Sequence, residues 1–240
     1  MRSGVAGMSE FALRKVVWKR SCRLIPSRFP PVEPYQPIAP SGSWDALKAI
    51  ELLTNPRLRE VSARDYLLPE DRSVEQNWVV APFAYPNPHP SRFSDGSFGY
   101  CVVAGSDEGA LADSVASREI FLRKTREPAT KLDMRMLATP LSASLHDLSA
   151  LDGAEPTKIR QAVLSLRESK SYGVLLPSRT RNGESIAVVL RPTAFAGPAV
   201  QSDHYSYIWD GQRISQIYCY SDGRTIDPDE LMTAKKRRAA

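Results

Sequence analysis

The sequence lacks the features of several common protein classes. None of its apolar runs approaches the roughly 20 residues that a membrane-spanning helix needs. The N-terminus has no continuous apolar segment of the kind found in secretory signals, because Glu10, Arg14 and Lys15 interrupt it. The chain contains no GxxxxGKS/T phosphate loop and no internal repeat. We therefore expect a cytoplasmic protein without a membrane segment.

Cysteine and histidine are scarce, with three of each in 240 residues. Cys22, Cys101 and Cys219 are far apart and form no CxxC pair, which is typical of a chain kept in a reducing cytoplasm. No histidine has a cysteine or a second histidine at metal-ligand spacing. The sequence therefore predicts no metal site.

The excess of positive charge is local. The chain carries 32 Lys+Arg against 27 Asp+Glu, a net charge of +5. Four positive charges lie at 235–238, and six more lie at 14–28, where there is no acidic residue. Without these ten charges the rest of the chain carries −5. The tail at 235–238 has no interleaved aromatic residue, the segment at 14–28 has one, Trp18, and neither segment has a recognition helix, so direct nucleic-acid binding has little support.

Length and composition predict a single domain with an extension at each end. The content of 42% hydrophobic and 25% charged residues is ordinary for a globular protein. We expect a flexible leader over 1–13, one domain over 14–230 and a basic tail over 231–240. Six prolines at 26–40 predict an extended strap on the domain, because proline neither continues a helix interior nor donates to a sheet.

Periodicity predicts three helices and seven strands. The helices are expected at 44–53, 108–124 and 156–168. The strands are expected at 76–83, 99–104, 129–137, 172–176, 185–190, 205–209 and 213–220, with a polar loop at 86–99. Because the strands cluster near the C-terminus without alternating with helices, the pattern favours an α+β fold. It predicts a compact mixed or antiparallel sheet with flanking helices.

Three segments contain residues suited to binding or transforming a ligand. SRFSDGSFGY places Arg92 in a Gly/Ser loop, where its guanidinium can bind phosphate oxygens or cap loop carbonyls. Asp113 lies about 200° around its helix from Leu111, so it points into a cleft or into solvent. YGVLLPSR ends a strand at Ser178, which suits a phosphate or amide contact or a hairpin turn. No GxSxG elbow accompanies Ser178, so a nucleophile is disfavoured.

Taken in order, these segments resemble the RES-domain family, named for an Arg, a Glu and a Ser, whose members act as NAD-consuming toxins of bacterial toxin–antitoxin pairs. The resemblance covers most of the chain and is carried by WKRSCRLIPSRFPP, TNPRLR, PEDR, SRFSDGSFGY, ALADSV, LDMRML, YGVLLPSR and YIWDGQRI. It implies an ADP-ribosyltransferase-like fold in which NAD, the substrate, lies in a cleft. It also implies an antitoxin partner that blocks the cleft within an oligomeric assembly.

The resemblance also assigns residues. It implies that Arg92 and Ser178 are the family Arg and Ser, that Tyr100 is a cleft tyrosine, and that Asp113 holds the Glu position. The implied catalytic set is Arg92, Asp113 and Ser178. The implied NAD-binding set is Arg23, Arg92, Tyr100, Ser178 and Arg181, with Arg179 as the alternative to Arg181.

The chain departs from the family pattern where chemistry is expected. Asp113 is about one methylene shorter than glutamate, and catalytic geometry tolerates roughly 1 Å of misplacement poorly. Ser117 and Ile208 stand where relatives commonly carry histidine. Three functions therefore stay open. The chain is an NAD phosphorylase or glycohydrolase with phosphate or water as acceptor, a protein ADP-ribosyltransferase, or a catalytically degenerate binding module.

Overall fold

The computed structural model describes residues 11–27, 39–54, 67, 69–71 and 77–233. Its strands are β1 (Leu13–Pro26), β2 (Cys101–Ala104), β3 (Thr130–Asp147), β4 (Gly173–Pro177), β5 (Ser185–Val189), β6 (Val200–Trp209), β7 (Ile214–Cys219) and β8 (Thr225–Ile226). Its helices are α1 (Trp44–Thr54), α2 (Asn77–Ala84), α3 (Asp107–Thr125), α4 (Pro156–Glu168) and α5 (Pro228–Leu231).

Within the described residues, the eight strands form one mixed sheet that closes on itself. The strand order is β1-β2-β5-β4-β3-β6-β7-β8, and β1 also pairs with β3. Five strands therefore make a ring, and β6, β7 and β8 continue from β3 as an antiparallel ribbon. The β3–β4 pair is parallel and the other pairs are antiparallel. The predicted α+β fold with a mixed sheet and flanking helices is confirmed.

The apolar side chains of this sheet pack in three clusters. All five ring strands contribute to one cluster, which includes Val103 and Leu145 and which α2 covers with Phe83. The second cluster lies between α3 and strands β3, β6 and β7, and the third lies between α4 and strands β4 and β5. Alternate residues of a strand point to opposite faces, so β2 and β5 contribute to more than one cluster. This division decides which side chains can meet in a site.

The prediction of a strand at 76–83 is wrong, because this segment forms helix α2. Its valines suggested a strand, but the buried side chains of Val79, Val80, Phe83 and Ala84 are spaced as on one helix face. Pro82 lies inside the helix and has no N–H to donate to the carbonyl four residues earlier. That carbonyl belongs to Trp78 and accepts a hydrogen bond from the Arg23 guanidinium instead.

The other predicted elements are present with shifted boundaries. The strand predicted at 129–137 extends to Asp147, and the basic segment after residue 13, for which periodicity predicts no element, forms strand β1. Of the predicted leader, residues 11–13 are described, and the backbone N–H of Asp147 donates to the carbonyl of Ala12. Most of the predicted strap and of the basic tail lies outside the described residues.

Candidate active site

The loop before β2 is held by its own serines. The Ser91 hydroxyl accepts from the backbone N–H of Ser94 at 3.0 Å, and the Ser94 hydroxyl donates to the carbonyl of Phe98 at 2.9 Å. From α4, Arg160 donates to the Ser91 carbonyl at 2.8 Å. Gly99 lies so close to α2 that a Cβ there would come within 2.2 Å of the Pro82 carbonyl oxygen, so glycine is required. The loop is therefore a fixed support for Arg92.

Arg92 is a half-buried cation in the loop before β2. Its Nε and Nη2 atoms are buried and have no hydrogen-bond partner among the described residues. The guanidinium carbon lies 5.0 Å from the centre of the Phe93 ring. Burial and the nearby charge of Arg179 lower the pKa of Arg92 to about 10, against the opposing charges of Asp152 and Asp113. The side chain stays charged at neutral pH, so an anion is the ligand it fits.

Tyr100 packs against the Phe93 ring, which the Arg92 guanidinium also contacts. Its ring meets the Phe93 ring edge to face with centroids 5.6 Å apart, which links it to Arg92 through one aromatic side chain. Burial raises the pKa of Tyr100, and the Ser91 hydroxyl opposes this rise. Tyr100 also lines a cavity of ≈ 270 Å³ with Pro82 and Tyr85 of the α2 segment. Tyr100 and Arg92 therefore both contact the Phe93 ring.

Asp113 projects from α3 towards the same loop. The helix begins at Ser106, whose hydroxyl accepts from the Gly109 N–H at 3.0 Å and donates to Glu184 at 2.7 Å. Burial raises the pKa of Asp113. A hydrogen bond from Thr180 and the charge of Arg92 oppose the rise, and the charge of Glu184 adds to it. Asp113 is thus a half-buried carboxyl within electrostatic reach of Arg92.

Ser178 reaches Asp113 only through Thr180. Thr180 is 7% exposed, and its hydroxyl donates to Asp113 Oδ1 at 2.8 Å. The Ser178 hydroxyl oxygen lies 3.0 Å from the Thr180 hydroxyl oxygen and accepts from the backbone N–H groups of Thr180 and Arg181 at 3.2 and 3.1 Å. Sequence reasoning missed Thr180. Its hydroxyl, two residues beyond Ser178 in the same turn, was the available signal.

The two arginines after Ser178 have different environments. Arg181 donates to Glu184 at 2.5 Å and to the Leu231 carbonyl at 2.9 Å, so its guanidinium joins the turn to the C-terminal segment. Arg179 is exposed, and its charge acts on Arg92. Of the two alternatives left by the sequence, Arg179 is the one that the structure brings to Arg92.

Arg23 does not join this group. Cys22, its neighbour in β1, packs in the cluster with α3, so the Arg23 side chain leaves the opposite face of the strand. There the guanidinium donates to the Trp78 carbonyl that Pro82 leaves free. The structure gives Arg23 a role in holding α2 against β1.

Ser117 and Ile208, the positions that depart from the family pattern, lie within the described residues. Ser117 is exposed and donates to the Ser114 carbonyl at 3.0 Å, and Ile208 is half-buried beside the buried Trp209. Glu119, another acid of α3, accepts from Arg123 and from the backbone of Ile214, so it is engaged away from Asp113. In the described part of the chain, no group of three or more His, Cys, Asp or Glu side chains is arranged to hold a metal, and no helix is suited to crossing a membrane.

Comparison with known proteins identifies a family and similar proteins. A family model described as the RES domain matches residues 69–210, more than half of the chain. The uncharacterized protein y4oC of Sinorhizobium fredii is 37% identical over 211 residues, which cover 87% of this chain and 91% of that protein. A chain of the M. tuberculosis MbcT–MbcA toxin–antitoxin complex is similar with a TM-score of 0.37 and 12% identity, over 60% of this chain and 75% of that chain.

Proposed function

The chain belongs to the RES domain family, and from this premise we propose that it cleaves the bond between nicotinamide and ribose in NAD. One observation carries the proposal. Arg92 holds two buried nitrogens without a partner among the described residues, within electrostatic reach of the half-buried Asp113. A desolvated donor or charge without a partner is unfavourable for a fold, and an anionic ligand would compensate it. The pyrophosphate of NAD is such a ligand.

The arrangement suits cleavage of the bond between the ribose and the positively charged nicotinamide ring. When the C1′–N bond breaks, its electron pair stays on the pyridinium nitrogen, so nicotinamide leaves neutral and needs no proton. Positive charge develops on the ribose, and the Asp113 carboxylate would stabilise it in a site shielded from water. Arg92, with Arg179 beside it, would bind the pyrophosphate, and Tyr100 would stack on the nicotinamide or its ribose. Ser178 would act through Thr180, as its contacts with the turn favour.

An oxygen nucleophile completes the reaction at C1′. Inorganic phosphate would give a phosphorylated ADP-ribose, water would give ADP-ribose, and a protein side chain would become ADP-ribosylated. With water or a protein hydroxyl, one proton is released as the new C–O bond forms. In the context of the family, the protein partner is a small antitoxin that covers Arg92 and Asp113 and so keeps NAD out.

The proposal is tested by incubating the purified protein with NAD, with and without phosphate, and following nicotinamide release. We expect turnover, and Arg92→Ala should lower it about 100-fold or more, the usual effect of removing a charged donor from an active site. Arg224→Ala is the matched control, since Arg224 is an exposed arginine paired with Asp222. The proposal fails if NAD is stable under both conditions and no protein in a lysate becomes labelled from labelled NAD.

The second candidate is a binding module of the same fold that has lost catalysis. The shorter carboxylate of Asp113 favours it, because that carboxylate already accepts from Thr180 and lies one methylene further back than a glutamate. Such a module would retain affinity for NAD or for the partner without turnover.

Asp113→Glu separates the two candidates. If the parent is the module, the longer carboxylate should create nicotinamide release that the parent lacks, or toxicity on expression. If the parent is the enzyme, the variant should alter existing turnover at least several-fold, because the site is adjusted to aspartate. Asp203→Glu, on the half-buried part of β6, repeats the same substitution outside the site as a control.

A further inference from the structure

Thr180 occupies a position between the turn and the acid that the family motif does not mark. It is almost fully buried, at 7% exposure, and both contacts of its hydroxyl are to residues implicated in the site. On one side it donates to Asp113 at 2.8 Å, and on the other it lies 3.0 Å from the Ser178 hydroxyl. A buried hydroxyl between two such groups can set the direction of the hydrogen bonds that join them.

The turn fixes that direction. A hydroxyl has one hydrogen to donate and two lone pairs that accept. The Ser178 oxygen accepts from the backbone N–H of Thr180 and from that of Arg181, so both of its lone pairs are engaged. Ser178 is then left only with its own hydrogen, which it donates to the Thr180 oxygen 3.0 Å away.

The direction passes to Asp113. Since Thr180 receives the hydrogen of Ser178, its own hydrogen points away from Ser178 and towards Asp113 Oδ1, the 2.8 Å contact. A protonated Asp113 that donated to Thr180 would either reverse the chain, which requires a third acceptor position on Ser178, or leave the hydrogen of the buried Thr180 hydroxyl without either of these acceptors. The turn thus favours an acceptor at this Asp113 oxygen, which a carboxylate provides in full.

We propose that Thr180 is a positioning residue that keeps Asp113 ionised and aimed, by transmitting to it the hydrogen-bond direction that the 178–181 turn imposes on Ser178. The inference rests on the proposed function for its catalytic meaning, since a neutral carboxyl could not stabilise the positive charge on the ribose. It also gives Ser178 a part that requires no nucleophilic attack. Ser178 is the fixed end of the chain, and Asp113 is the end that meets the substrate.

The charges that face Asp113 set the background. Arg92 approaches it from the loop before β2 and favours the carboxylate, whereas Glu184 approaches from the segment before β5 and disfavours it, as does burial. The charge of Arg179 acts on Arg92. Thr180 is the hydroxyl that acts on Asp113 directly, and valine matches it in shape without offering a donor.

The test measures the titration of the Asp113 carboxyl by carbon NMR with labelled aspartate, using Asp113→Asn to assign the signal. Thr180→Val should raise the apparent pKa of Asp113 by about one unit or more, since a hydrogen bond to a charged group contributes about 1.5–3 kcal/mol. Thr180→Ser should stay near the parent. Ser178→Ala should raise the pKa of Asp113 less than Thr180→Val does. It removes the constraint on where the Thr180 hydrogen points, but it keeps the Thr180 hydroxyl as a donor.

Thr125→Val is the matched control, because the Thr125 hydroxyl donates to the Phe121 carbonyl at the far end of α3. In NAD turnover, the acidic limb of the pH profile should move up with Thr180→Val by the same shift. The inference is overturned if Thr180→Val leaves the Asp113 titration unchanged, or if Thr180→Ser shifts it equally. The NMR result does not depend on turnover, so a parent that leaves NAD intact overturns the proposed function alone.

Discussion

At the scale of residues, Arg92 is the side chain whose environment is least explained by folding. Two of its nitrogens are buried without a partner among the described residues, and its guanidinium carbon lies 5.0 Å from the centre of the Phe93 ring. Arg191, by contrast, is a buried arginine whose guanidinium donates to Asp71 in a bidentate pair. The contrast supports the proposal that Arg92 binds a ligand, whereas Arg191 stabilises the fold.

Replacing Arg92 by methionine should therefore separate stability from function. Arg92→Met keeps the apolar stem and removes the unpaired donors, so we expect the free energy of unfolding to rise by about 1 kcal/mol, a modest value because the guanidinium is only half-buried. NAD turnover should be lost at the same time. Urea denaturation followed by circular dichroism measures the first effect.

Arg224→Met is the comparison for this experiment, since its exposed guanidinium should change stability by less than 0.5 kcal/mol. A loss of more than about 1 kcal/mol for Arg92→Met would contradict the assignment. It would show that Arg92 makes contacts that stabilise the fold.

At the scale of elements, the short segment 69–71 is fastened to the sheet by a buried ion pair. Asp71 accepts from Arg191, which follows β5, at 3.0 Å and from the Thr193 hydroxyl at 2.6 Å. The side chains of Asp71 and Arg191 are 2% and 10% exposed. The Arg191 guanidinium also lies 4.9 Å from the Tyr172 ring. These contacts couple the 69–71 segment to strands β4 and β5 over 120 residues of sequence.

Breaking this pair should be far more damaging than breaking a surface pair. Asp71→Ala leaves a buried guanidinium without its carboxylate, so we expect a loss of about 3 kcal/mol in the free energy of unfolding. Asp229→Ala removes the partner of Arg213 from an exposed pair and should cost at most about 0.5 kcal/mol. Chemical denaturation of both variants gives the comparison, and equal effects would contradict the argument.

At the scale of the whole molecule, carboxylates tie separate parts of the fold together and so make stability depend on pH. Asp107 joins α3 to β1 through two 3.0 Å hydrogen bonds from Arg20 and one from the Cys22 thiol. Burial alone would raise the pKa of Asp107, but these hydrogen bonds outweigh it and lower the pKa from its ordinary value of 3.8. Arg20 also donates to Ser202 at 2.9 Å, which extends the connection to β6.

Stability should therefore fall in acid. Because the folded-state pKa of Asp107 is lowered, its contribution is complete above pH 3.8 and is lost as the pH falls through the folded value. Asp113 acts in the opposite sense: its raised pKa favours the fold in acid, and this contribution is lost as the pH rises through the folded value. Asp107→Asn should flatten the decline of the melting temperature between about pH 5 and 2.

Asp203→Asn in β6 is the matched variant, because it removes one carboxyl group outside the connection between α3 and β1. Melting curves at intervals of one pH unit are sufficient. An unchanged slope in Asp107→Asn would mean that Asp107 does not carry the acid sensitivity.

Much of this arrangement follows from the sequence. Amphipathic spacing predicts α3 and α4, and alternation predicts the start of β3, because these patterns record which face of a local element is buried. Arg92, Tyr100 and Ser178 could be selected because they lie in short segments whose order resembles a family. Local patterns and ordered motifs are properties that one chain carries without folding.

Other features depend on contacts between distant segments, which local patterns do not record. The valines of α2 fit the pattern of a strand, but the segment packs against the ring strands as a helix. The resemblance implies that Arg23 is a pocket residue, but its guanidinium donates to the carbonyl of Trp78 that Pro82 leaves free. The Thr180 hydroxyl contacts Asp113 because the turn after β4 packs near α3, and the two residues are 67 positions apart in the chain. The sequence by itself determined most of the helices and strands and indicated the charged groups of the candidate site. The tertiary structure alone decided which of those groups meet, because strand register and closure of the sheet fix the face from which each side chain projects.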